Sequence, residues 1–191
     1  CIASPHAKIW SRIAGLPDEA FVHDGKITKR EVRAATLAAL APAPDQILWD
    51  VGAGSGSIGI EWMRSTRGCE AYAIEPLEDR RAMIAANADQ LGTPRLHIVA
   101  GAAPEAYTKL PRPHAIFIGG GISVHGTFEG AWDALLSDGR MVAADLVARS
   151  RVVHLPAGAH VFEAGQRAQN MLLLLNGSVR VQQVSDTGRE I

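Results

Sequence analysis

Cysteine is nearly missing from this chain: Cys1 and Cys69 are the two that occur. Two thiols cannot build a four-ligand zinc cage, and nothing in their placement suggests a disulfide framework. An excess of either charge is also lacking, the formal net value being -1. A generic binder of phosphate backbones is strongly basic, so no nucleic acid is expected as a partner. Long apolar runs are absent as well. None exceeds five residues; Met171-Leu172-Leu173-Leu174-Leu175 has the length of a strand, and no membrane span is expected. No N-terminal stretch has the order of regions that marks a secretory signal. These absences point to a reduced, cytoplasmic protein. The first residue is Cys1 rather than Met, which leads us to expect a piece of something longer.

What is present reads as globular. Of 191 residues, 47% are hydrophobic and 20% charged, enough for one good core with a small appendage. Residues 1–27, punctuated by Gly15, Pro17 and Gly25, read as an N-terminal arm. Thr28-Lys29-Arg30-Glu31 then fits a capping box, with Thr28 accepting from the Glu31 amide. Val32, Thr36, Leu37 and Leu40 follow at helical spacing, and Pro42 marks the end. Strands are predicted at 47–51, 71–74, 96–99, 115–118 and 140–143. Helices are predicted at 58–63, at 76–91 with Pro76 opening it and Gly92 beyond its end, and at 128–136.

Strands that alternate with helices imply an α/β fold, a doubly wound, Rossmann-like parallel sheet. Right-handed crossovers bring the C-terminal end of every strand to one rim, where ligands bind near the switch in strand order. Gly52 to Gly56, Glu75, Gly101 to Ala103 and Gly119 to Gly121 all follow predicted strands, so their loops should converge on one crevice.

From about residue 150 the alternation stops. Short apolar runs separated by Pro156-Ala157-Gly158, Asn176-Gly177 and Asp186-Thr187-Gly188 read as a short all-β tail over 150–191. About forty residues are marginal for an independent core.

Chemistry concentrates in Asp50-Val51-Gly52-Ala53-Gly54-Ser55-Gly56. Glycines remove the Cβ obstruction and admit positive φ, which lets a ligand approach the backbone. Glu75 closes the second predicted strand, 19 residues after Gly56, where a carboxylate can accept both hydroxyls of a ribose. Together they suggest an adenosine-containing ligand. The spacing Gly-x-Gly-x-Gly after an Asp, in place of Gly-x-Gly-x-x-Gly, favours S-adenosylmethionine over a dinucleotide.

Four motifs in order carry a more specific resemblance. They are Gly15-Leu16-Pro17-Asp18-Glu19-Ala20-Phe21 with Asp24-Gly25-Lys26-Ile27-Thr28-Lys29-Arg30-Glu31-Val32-Arg33; Trp49-Asp50-Val51-Gly52-Ala53-Gly54-Ser55-Gly56-Ser57; Gly101-Ala102-Ala103-Pro104-Glu105-Ala106; and Phe117-Ile118-Gly119-Gly120-Gly121. Over roughly 12–147 the chain resembles the precorrin methyltransferase–decarboxylase family, which makes 28–149 the methyltransferase domain. The resemblance implies S-adenosylmethionine as cofactor and a tetrapyrrole, a precorrin, as substrate in cobalamin biosynthesis. It implies methylation at carbon 15 of the macrocycle with loss of carbon dioxide from a ring acetate. It also implies a homo-oligomer, a tetramer in the family. Residue by residue, Gly52, Ala53, Gly54, Ser55 and Gly56 would cradle the methionine part, and Glu75 would hold the ribose. Ala102 and Ala103 would line the adenine pocket, and Thr28 would lie close to the cofactor. Gly119, Gly120 and Gly121 would open the floor for the substrate.

Beyond about 147 the helix and antiparallel strand pair usual in that family are not visible. The tail is instead similar to the first strands of a cyclic-nucleotide-binding β-roll, without its phosphate-binding cassette, and a sheet without its last strands leaves an unpaired edge. Three other readings stay open: a methyltransferase of another small molecule, a regulatory sensor, and an inactive fragment. No general base stands out. His23, His114 and His125, near predicted loop ends, are candidates for gripping substrate carboxylates. Lys26, Lys29, Arg30 and Arg33 form a cationic group that suits an acid-rich tetrapyrrole or simply a solvated helix face. Trp10, Trp49, Trp62 and Trp132 read as core or interface residues, and Cys69 as inert.

Overall fold

In the computed structural model, which describes residues 10–144, five strands form one parallel sheet. They are β1 (Ile47–Val51), β2 (Glu70–Glu75), β3 (His97–Ala100), β4 (Ala115–Ile118) and β5 (Arg140–Ala143). Their order is β3-β2-β1-β4-β5. The chain moves outward from β1 through β2 to β3, then returns to β4 on the other side of β1, so the order reverses between β1 and β4. All five predicted strands are present and the parallel sheet is as expected; β2 is one residue longer at each end and β3 is shifted by one residue along the chain.

Side-chain alternation along a strand separates two packed layers. Leu48, Ala71, Ala73, Ala115 and Phe117 face one way, onto α1 (Arg30–Leu40), α2 (Ser57–Ser65) and α3 (Glu78–Gln90). Trp49, Val51, Ile74, Ile116 and Ile118 face the other, where Ala131 of α4 (Thr127–Ala134) and Tyr107 of a short 3-10 helix cover them. Trp49 stacks on Tyr107 at 5.0 Å between ring centroids and donates its indole N–H to Pro111 O at 3.0 Å. Helix α1 buries Arg33, Thr36, Leu37 and Leu40, spaced as one helical face.

The capping box does not form. Lys29, not Thr28, is the N-cap of α1, and no side chain caps that end. The Arg33 guanidinium takes up the Thr28 carbonyl and fixes Thr28 outside the helix. Helix α3 starts at Glu78, two residues beyond the predicted Pro76, because Glu75 Oε1 accepts the Leu77 amide at 3.1 Å and turns the chain there.

The arm is woven into the core: Leu16, Ala20, Phe21 and Ile27 are buried with residues of α1 to α3. Over its described residues, 10–27, its few periodic signals reflect one short 3-10 helix, Asp18–Ala20, and otherwise irregular backbone. Among the described residues no helix is long and apolar enough to cross a membrane. The predicted all-β tail and its cyclic-nucleotide-binding resemblance lie outside the described residues, as does Cys1.

Candidate functional site

The loops after β1, β2, β3 and β4 line a crevice of about 670 Å³, within the usual range for a small-molecule site. It sits at the C-terminal ends of the strands, beside the reversal between β1 and β4, as the topology of an open α/β sheet requires.

Backbone hydrogen bonds set the shape of the glycine loop. Ile74 O accepts the amides of Gly52 at 2.9 Å and Ala53 at 3.1 Å, tying the loop to the neighbouring strand. The Gly54 amide donates to Glu75 Oε2 at 2.9 Å. Gly52 and Gly54 have φ of 68° and 59°, where a side chain is strained. Gly52 also packs against the third glycine run: a Cβ on it would lie 3.0 Å from Gly120 N. Gly119 N in turn donates to Val51 O at 2.8 Å.

Eleven of the twelve expected site residues line this crevice: Thr28, Gly52, Ala53, Gly54, Ser55, Glu75, Ala102, Ala103, Gly119, Gly120 and Gly121. Gly56 does not. It is the N-cap of α2 at φ 75°, and a Cβ there would meet Ile84 Cγ2 at 3.0 Å, so it serves helix packing. Glu75 is only 1% exposed, since its carboxylate already holds the Gly54 and Leu77 amides.

The cationic group disperses. Arg33 is buried, donating to Glu61, Leu16 O and Thr28 O. Arg30 Nε donates to Gly15 O at 2.8 Å, and Lys29 Nζ lies 3.6 Å from Asp18. Of the four, Lys26 lines the crevice. His114 is at the opposite rim, its Nδ1 accepting the amide of Ile47, the first residue of β1, at 3.1 Å. His23 Nδ1 accepts the Gly25 amide at 3.0 Å within the arm, and His125 is exposed on the loop after β4. Trp49 and Trp62 are core residues, as expected, whereas Trp132 is exposed and stacks on Phe128 at 6.1 Å.

Several crevice residues escaped the sequence reading. Arg80, on the first turn of α3, lines the crevice and is paired with Asp24 of the arm at 2.8 Å. The Lys26 amide, then the Arg80 guanidinium, hold the Asp24 carboxyl below its ordinary value. Ile27 and Thr127 also line the crevice. The Thr127 carbonyl accepts from the Tyr107 hydroxyl at 3.2 Å, and burial pushes that phenol up to about 12. For Arg80 a basic residue shortly after the acidic strand end was the available signal; for Ile27 and Thr127 there was none.

The chemistry of the crevice is asymmetric. Ser55 Oγ, on a lining residue, and Asp50 Oδ1, buried on β1 and not part of the lining, have no hydrogen-bond partner among the described residues. Asp50 Oδ2 accepts the Gly59 amide at 2.9 Å. Burial raises the Asp50 carboxyl to about 7, the Gly59 amide opposing and the Glu75 charge adding to the rise. Ile27, Ile74, Ala102 and Ala103 give the crevice apolar lining, and over Gly120 and Gly121 an added Cβ would meet nothing within 4 Å. These surroundings fit a ligand with a polar end at the glycine loop, a diol at Glu75 and a flat ring against the alanines, with a second flat molecule above the glycine floor.

Comparison with known proteins gives the family. Residues 19–165 match the family described as "Precorrin methyltransferase domain", and the match runs past residue 150. The chain is 53% identical over 141 residues to a precorrin-6Y C(5,15)-methyltransferase [decarboxylating] of Sinorhizobium sp, covering 74% of this chain and 34% of that protein. It therefore spans about a third of the length of the curated relative. The crystal structure of the C-terminal domain of precorrin-6Y C5,15-methyltransferase from Rhodobacter capsulatus superposes with TM-score 0.65 at 46% identity, over 70% of this chain and 72% of that one. Precorrin 8W decarboxylase from Methanobacterium thermoautotrophicum gives TM-score 0.62 at 25% identity, over 67% and 70% of the two chains. With the family match spanning most of its length, this chain belongs to the precorrin methyltransferase domain family.

Proposed function

We propose that the chain binds S-adenosylmethionine in the crevice and directs its methyl group to a ring carbon of a precorrin, with decarboxylation, as a step of cobalamin biosynthesis. The observation that carries this reading is the Glu75 carboxylate, which accepts the Gly54 amide at 2.9 Å and so joins the glycine loop and the acidic strand end in one wall. Family membership and the relatives' names supply the substrate class.

The cofactor, when bound, supplies an already activated methyl group. What remains for the protein is alignment, worth on the order of several kcal/mol. Gly52, Ala53, Gly54 and Ser55 present backbone to the methionine end, and the spare lone pairs of Glu75 accept from the ribose. Ala102 and Ala103 pack on the adenine, and Thr28 closes the arm side. Gly119, Gly120 and Gly121 leave room for the macrocycle, whose carboxylates meet Lys26 at the mouth. A precorrin as partner, a tetrameric assembly and a cytoplasmic location belong to the same proposal.

Isothermal titration with S-adenosylhomocysteine tests the reading. The parent chain binds in the micromolar range, and Glu75→Gln, which removes the charge and one acceptor oxygen, weakens binding by about tenfold or more. A cooperatively folded parent that does not bind overturns it.

A further inference from the structure

Helix α3 turns one face to the cofactor side, with Arg80, Ile84 and Asn87 spaced by four and three residues. Arg80 holds Asp24 of the arm, and Ile84 packs under Gly56. Asn87 contacts both neighbours at once. Its Oδ1 accepts the Val22 amide at 2.7 Å, and its Nδ2 donates to Val22 O at 2.9 Å and to Ser55 O at 2.9 Å. The side chain is fully buried and does not line the crevice.

We infer that Asn87 is a positioning residue: its carboxamide holds the arm and the glycine loop in register and so sets the width of the crevice. The inference rests on the proposed cofactor site. One acceptor and two donors on a short stem are what the three contacts need, and a carboxamide of this length supplies them. An aspartate keeps the acceptor and loses both donors; an alanine loses all three. The consequence for the site follows from how closely its walls face each other. The Lys26 carbonyl lies 3.5 Å from where a Cβ on Gly54 would stand, so the arm borders the glycine loop there and its position limits the gap between them. Ser55 and the arm that carries Thr28, both of which line the crevice, are thereby tied through one side chain that does not line it.

The 191-residue chain, Asn87→Asp, Asn87→Ala and a control, Leu91→Ala, are titrated with S-adenosylhomocysteine below their unfolding temperatures. Leu91 is a buried core residue just beyond the same helix. The control lowers Tm and leaves Kd within about twofold, whereas both Asn87 variants raise Kd by about tenfold or more, the change that one lost buried hydrogen bond corresponds to. Hydrogen exchange on the parent gives a second readout. The ligand slows exchange of the Val22 amide together with that of Gly54, although Val22 is not a crevice residue. A parent that binds while the folded Asn87 variants keep its Kd overturns the inference and leaves the proposed function standing. If neither variant folds, an unchanged Val22 exchange rate overturns it. A parent that does not bind overturns both.

Discussion

Arg33 Nε donates to Glu61 Oε1 at 2.7 Å, and neither side chain reaches solvent. The same carboxylate accepts the amides of Gly15 at 2.6 Å and Leu16 at 2.9 Å, while the guanidinium donates to Leu16 O and stands 4.8 Å over the Phe21 ring. One buried pair thus staples the arm to α1 and α2. The arm carries Lys26, Ile27 and Thr28 to the crevice, so a pair that touches no ligand underlies one of its walls.

Removing Glu61 leaves the buried guanidinium with one carboxylate among the described residues, that of Asp18 at 3.2 Å. Glu61→Gln is expected to destabilise the chain in urea denaturation by less than the roughly 3–5 kcal/mol of a fully uncompensated buried charge, because Asp18 still pairs with Arg33. Glu61→Gln with Arg33→Met is expected to be less destabilising than the sum of the two single changes. Additive losses would show that the two side chains are not coupled.

The Asp50 carboxyl, raised by burial to about 7, makes stability depend on pH in the less common direction. Between its unfolded value near 3.8 and about 7, the folded state holds the proton and the unfolded state does not. Its contribution is therefore complete below the unfolded value and is lost as pH rises toward 7 and beyond. At about 1.4 kcal/mol per pKa unit the loss amounts to a few kcal/mol at most. Asp50→Asn, able to keep the Gly59 bond, should remove that decline when denaturation midpoints of the two chains are compared from pH 4 to 8. Parallel curves would show that Asp50 titrates in its ordinary range.

Two glycine substitutions separate the cofactor loop from the floor. Gly52→Ala meets both a φ of 68° and Gly120 N at 3.0 Å, so stability should fall by about 1–2 kcal/mol and affinity for S-adenosylhomocysteine with it. Gly120→Ala has open space and no left-handed φ, so stability and that affinity should hold. Its methyl group projects into the space assigned to the macrocycle, and precorrin turnover should drop. Unchanged turnover by Gly120→Ala would remove the triple glycine from the substrate site.

The sheet was readable because a strand's signal is local. Ala115–Ile118 and Arg140–Ala143 stand where their apolar runs predict, and the loops that follow the strands converge as a parallel sheet demands. The capping box at Thr28 misled because a competitor was invisible: Arg33, five residues on, takes the Thr28 carbonyl and moves the cap to Lys29. Gly56 shares the spacing of Gly52 and Gly54, and only the packing of Ile84 against it shows a different duty.

By itself the sequence determined the α/β alternation, the glycine loop, the acid at the end of β2 and hence the class of ligand, because each depends on neighbours within one or two elements. Tertiary structure alone decided which charges are available. Arg33 and Lys26 look alike in the chain, yet Glu61, twenty-eight residues from Arg33, buries the one and leaves the other at the crevice. It also decided that Asn87, an ordinary helical residue in sequence, joins arm to loop, since Val22 lies 65 residues away and Ser55 32. A side chain's partners across the fold are set by how the layers stack, which no local period encodes.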